Sequence, residues 1–107
     1  MIGRIWHGYT APENADAYES LLKEEIFTGI RGRNIRGFRE IQLFRRPLEA
    51  EVEFITIMWF DSLEAVSEFA GEDYGAAVVP PRARLLLKRF DERSQHYEVR
   101  EQLEAAE

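Results

Sequence analysis

Residues 51–70, EVEFITIMWFDSLEAVSEFA, change their hydrophobic period halfway along, and the rest of the chain can be placed around that change. From Val52 to Phe60 nearly every residue is β-branched or aromatic, with Val52, Phe54, Thr56, Met58 and Phe60 on one parity and Ile55, Ile57 and Trp59 on the other. A strand apolar on both parities is covered on both faces. From Asp61 the pattern becomes Leu63, Val66, Phe69 and Ala70, the stripe of a short amphipathic helix. Asp61 with Glu64 has capping-box spacing, and Gly71 supplies a stop.

Working outward, residues 2–10, IGRIWHGYT, form an opening strand with Ile5, His7 and Tyr9 on one face and Arg4, Trp6 and Thr10 on the other. Thr10 and Glu13 make a second capping-box spacing with Pro12 in the first turn. Ala15, Tyr18, Leu22 and Ile26, with Leu21 beside them, then mark an amphipathic helix to about Phe27, ended by Gly29 and Gly32. Ile35 to Arg45 is predicted as a strand closed by Pro47, and LEAE as a hairpin turn into the central strand. GEDYGAAVV is expected to form a helical turn terminated by Pro80 and Pro81. Arg84 to Phe90 and SQHYEV make a last strand, bent or bulged at DERS.

The resulting order is βαββαβ, an α+β, ferredoxin-like arrangement with a four-stranded antiparallel sheet and both helices on one face. Residues 1–100 are expected to be one domain and 101–107 a tail of frayed helix. Nothing in the chain covers the second sheet face, although the third and fourth strands are apolar on both sides. A homodimer whose two sheets close into an α/β barrel is therefore expected.

Composition narrows the chemistry. The 107 residues are 45% hydrophobic and 32% charged, with no cysteine, which removes disulfides, thiol nucleophiles and thiolate-held redox centres. No apolar run approaches the ~18 residues of a membrane span, so a soluble, cytoplasmic protein is expected, without a membrane partner. The net charge of −6 is uneven: residues 1–48 hold 8 Lys/Arg against 6 Asp/Glu, and residues 49–107 hold 6 against 14. Nucleic acid is thus not an expected partner. Arg31, Arg33, Arg36, Arg39, Arg45 and Arg46 crowd one stretch, read as a solvated face or intersubunit ion pairs rather than an anion site. Phosphate loops, dinucleotide fingerprints, HExxH and GxSxG are absent, and no metal-ligand spacing stands out.

RIWHGYT, ADAYESLL, RGFREIQLFRR, VEFITIMWFDSLEAVSEFAGEDY, AVVPP and HYEV, in that order, resemble the small dimeric α/β-barrel proteins grouped as antibiotic biosynthesis monooxygenases. The resemblance runs from about Ile2 to Val99 and is specific for fold, not for activity. Heme-degrading members carry an Asn on the first strand, a Trp in the second helix and a His about ten residues beyond. These positions fall on Trp6 or His7, on Phe69 and on Val79, so the resemblance implies no heme chemistry here unless His7 or His96 substitutes.

The cofactor-independent members imply another mechanism: a base deprotonates an electron-rich phenolic compound and the anion passes an electron to dioxygen. The chain has two histidines, so His96 and His7 are the candidate bases, with no metal or organic cofactor. Trp6, Tyr9, Trp59, Phe69 and Tyr74 are candidate walls of a pocket between sheet and helices that takes a small aromatic molecule. Tyr97 is a further candidate, but alternation sends it and His96 to opposite faces. For each histidine the alternative is a hydrogen-bonded structural or interface residue, and for each aromatic plain core packing. The rival function is a non-catalytic small-ligand-binding or regulatory homodimer.

Overall fold

The computed structural model describes residues 1–106. Three long strands, β1 (Ile2–Thr10), β2 (Phe38–Pro47) and β3 (Val52–Phe60), join β4 (Leu87–Phe90) and β5 (Gln95–Glu98) in one antiparallel sheet. The order is β2-β3-β1, with β4 and β5 both on the free side of β1. β4 pairs with Gly8 to Thr10 and β5 with Ile2 to Ile5, so they are two halves of one predicted strand, interrupted at residues 91–94. Five strands, three long and two short, thus stand where four were expected.

β1 and β3 pair without a break from Ile2↔Phe60 to Thr10↔Val52. Strict alternation divides their side chains: Arg4, Trp6, Phe54, Met58 and Phe60 are buried beneath the helices, while Ile5, His7, Tyr9, Ile55, Ile57 and Trp59 lie half-buried on the other face. The helical side holds two clusters. One gathers Trp6, Tyr18, Leu21, Leu22, Phe54 and Ala83, and the other Ile2, Ile35, Met58, Phe60, Val66 and Phe69.

Helical structure is continuous from Pro12 to Gly32: a 3-10 turn (Pro12–Asn14), α1 (Ala15–Leu21), a π-helical turn (Leu22–Ile26) and α2 (Phe27–Gly32). It therefore runs past the predicted end at Phe27 and through Gly29, whose α-carbon faces open space. The Thr10–Glu13 capping box does not form. Thr10 is held in the ladder between Val52 and Leu87, fully buried with its hydroxyl unpartnered, and Ala11 precedes the helix without a side-chain cap.

α3 (Leu63–Ala70) ends at Gly71 as predicted, with φ +92. Its cap is Ser62, which accepts from Ala65 N, because Asp61 is taken by a forked pair with Arg39. Residues 71–80 form turns and one isolated bridge, Ala76↔Arg93, in place of the expected helical turn. Pro81 opens α4 (Pro81–Leu86) instead of closing a helix, since a proline at the first helical position gives up no needed N–H. The predicted strand from Arg84 accordingly begins only at Leu87. Residues 101–106 are neither helix nor strand, so the predicted frayed helix is not seen there, and its last residue, Glu107, lies outside the described residues.

Candidate functional site

Where the two clusters meet, a cavity of about 60 Å³ remains between helices and sheet. Trp6, Tyr18 and Leu22 reach it from one cluster and Met58 and Phe69 from the other. Ile26 and Phe27 face it from the π-helical turn and the residue after it, and π-turns inside α-helices recur at functional sites. Val79 also lines the cavity. Trp6, Phe69 and Val79, at which the resemblance sets family positions, therefore converge on one space. The rest of the wall is apolar apart from Thr56, Ser94 and one charged group.

That group is Arg4, 3% exposed. Nη1 donates to the Tyr74 carbonyl and lies 2.9 Å from His96 Nε2, Nη2 donates to the Ala76 carbonyl at 3.0 Å, and the guanidinium sits 5.5 Å from the Phe69 ring centre. Burial lowers its pKa to about 10, so it stays charged at neutral pH. His96 accepts from it and meets the Tyr74 ring edge-on, centroids 5.2 Å apart. Burial and then the Arg4 charge lower the pKa of His96, which leaves a neutral imidazole with Nε2 committed.

Of the predicted site residues, Trp6 and Phe69 line the cavity, and Tyr74 and His96 stand behind Arg4. Trp6 is fixed by donating Nε1–H to the Asp91 carbonyl at 2.8 Å. The other four lie on the opposite sheet face: Tyr9 and Trp59 are not between sheet and helices, because β-strand parity turns them away from α1 and α2. His7 Nδ1 is 3.0 Å from Asp91 Oδ2, Tyr9 donates to Glu53, Trp59 donates to Gln42 at 2.8 Å, and Tyr97 is 58% exposed. Arg4 itself had no place among the predicted site residues. Its inward parity beside Trp6 was the available signal, outweighed by the expectation that arginines point to water.

Four of the six arginines in the arginine-rich stretch are spent within the chain: Arg39 on Asp61, Arg45 on Asp16 and Glu19, and Arg46 on Glu53, while Arg33 donates to the Glu68 and Phe69 carbonyls. Among the described residues, no three His, Asp or Glu side chains gather as a metal site, and no helix is long and apolar enough to cross a membrane.

Solved structures share this architecture. A Bacillus cereus protein provisionally described as an antibiotic biosynthesis monooxygenase superposes with TM-score 0.69 at 13% identity, covering 97% of each chain. Rv0793 from Mycobacterium tuberculosis gives 0.63 at 18% identity over 96% of this chain and 98% of that one. MhuD from the same organism, a heme-degrader solved with two hemes in its active site, gives 0.58 at 20% identity over 97% of this chain and all of that one. These likenesses establish a shared fold. No family model matches the sequence, and no curated protein matches it. A heme does not fit the cavity. No imidazole lines it, and about 60 Å³ is far below the ~300 Å³ or more of sites for larger ligands.

Proposed function

We propose that the chain is a cofactor-independent oxygenase that oxidises a small aromatic or quinol-like compound with dioxygen in the cavity beside Arg4, as a homodimer of the cytoplasm. The observation that carries this reading is the convergence of aromatic walls and one unneutralised cation on a single cavity in a fold of this type. The base removes the phenolic proton, and the electron-rich anion reduces dioxygen directly. Net conversion of the ring C–H opposite the phenolic hydroxyl to C=O, with loss of the phenolic proton, gives a quinone and places one atom of dioxygen in the product and the other in water, so no external reductant is consumed.

His96 takes the role of base. Its pKa is lowered, so the imidazole is neutral at neutral pH, with the hydrogen on Nδ1 and the lone pair on Nε2; standing behind Arg4, it takes the phenolic proton at Nε2 once Arg4 Nη1 turns from it to the anion in the cavity. Arg4 favours the anion over the neutral phenol and steadies reduced oxygen. His7 belongs to the opposite face, where Ile5, Ile55, Ile57, Trp59 and the exposed Phe44 and Tyr97 form the apolar surface that we assign to the second subunit.

The test is oxygen uptake by the metal-stripped protein with a panel of phenols and quinols. Uptake without added reductant, reduced about 10²-fold or more by His96→Gln, is the expected outcome. Uptake unchanged in that variant removes His96 as base, and no uptake across the panel removes the oxygenase. The second reading, a non-catalytic small-ligand dimer, is favoured by one observation: His96 Nε2 is already bonded to Arg4. It requires binding of panel members with no uptake.

A further inference from the structure

Arg4 has more donors than the fold uses. A guanidinium carries five N–H groups. Three are committed, two on Nη1 to Tyr74 and His96 and one on Nη2 to Ala76. The Nε–H and the second Nη2–H remain.

The charge is also unanswered. All three acceptors are neutral, and among the described residues no carboxylate pairs with Arg4. Other arginines here, Arg39, Arg45, Arg46, Arg82, Arg89 and Arg93, do meet a carboxylate. Burying a cation without a counter-ion is costly. Anchoring residues 74–76 does not explain that cost, because a tether to carbonyl oxygens needs donors and not a net charge.

We infer that the cavity binds the carboxylate of a small organic acid, held by the two uncommitted N–H groups of Arg4. Two donors on a planar guanidinium match a carboxylate's two oxygens in a way that a lysine would not. The apolar body of the acid lies against Trp6, Met58 and Phe69, with Tyr18, Thr56 and Ser94 as the other hydroxyl-bearing wall residues. About 60 Å³ takes the carboxylate and the atoms next to it. Val78 lines the cavity and is 49% exposed, so the space reaches the surface there and a ring can extend into its mouth. The inference rests on the cavity being the binding site of the proposed function, and it adds a carboxylate to the aromatic compound taken there.

The experiment is calorimetric titration of the full chain with benzoate and with benzamide, which has nearly the same shape and no charge. Benzoate is expected to bind at least tenfold more tightly, a preference lost in Arg4→Met and partly kept in Arg4→Lys. The wild-type ratio alone decides the matter if Arg4→Met fails to fold. Equal affinities overturn the carboxylate and leave the cavity as an apolar binding site. Binding of neither compound overturns both, whereas tight benzoate binding together with no oxygen uptake across the panel of phenols and quinols keeps the acid site and removes only the oxygenase. Acetate competing as well as benzoate supports the carboxylate and assigns a short acid.

Discussion

Burial and a neighbouring guanidinium both resist protonation of His96, and the sign of the consequence is definite. As pH falls, the unfolded chain's imidazole takes a proton near its ordinary value of 6.5, and the folded one does so only at lower pH. Between the two the unfolded state binds more protons, so stability falls as pH drops below 6.5. Denaturant midpoints measured across that interval should decline for the wild type and decline less for His96→Gln. Gly8 carries a different constraint. A β-carbon there would lie 2.5 Å from the Trp6 ring, which cannot swing aside while its Nε1 is bonded to Asp91. Gly8→Ala should cost about 1–3 kcal/mol, read by urea unfolding. At this scale, alternation was enough to separate His96 from Tyr97, since each strand residue faces opposite to the next. It was not enough to recognise Arg4 as a buried cation, because the carbonyls that hold it come from a loop whose path has no local signature.

Elements were legible where one pattern acted alone and misread where two competed for a residue. β3 has the predicted bounds because nothing but sheet propensity bears on Val52 to Phe60. Asp61 had the right chemistry for a cap, but Arg39, displaced by the irregularity in the β2–β3 pairing, claims its carboxylate. Ser62→Ala should therefore cost about 1 kcal/mol in urea unfolding, and Asp61→Ala less, since an exposed ion pair contributes little. Equal losses would mean that both residues cap. The helix starting at Pro81 follows the same logic: Leu85, 83% exposed, belongs to a short helix that buries Ala83 against the Tyr18 cluster, and apolar residues on both parities gave no hint of it. The π-turn was not legible, as helical periodicity does not register one added residue.

For the whole molecule, strand order and the sidedness of the sheet followed from a count: two helical regions cover one face and leave apolar groups on the other. Which residues that other face carries now specifies the assembly test. Phe54 and Met58 face the helices, so the changes that bear on it are those among Ile5, Phe44, Ile55, Ile57, Trp59 and Tyr97. Ile57→Glu should give a folded monomer by sedimentation where the wild type sediments as a dimer. A monomeric wild type, or a dimer indifferent to the charge, would sink the two-sheet assembly.

β1 pairs on both sides and serves both faces, with Arg4 and Trp6 toward the cavity and Ile5, His7 and Tyr9 toward the proposed partner. Adding or removing one residue within Ile2–Thr10 would exchange those two sets. Such a change is beyond repair by any single later substitution, because it would put the guanidinium in the interface and an isoleucine in the cavity. Over evolutionary time the descendants of this sequence should vary in length at the Leu48–Glu51 turn and keep nine residues in the first strand, even where they change all of them.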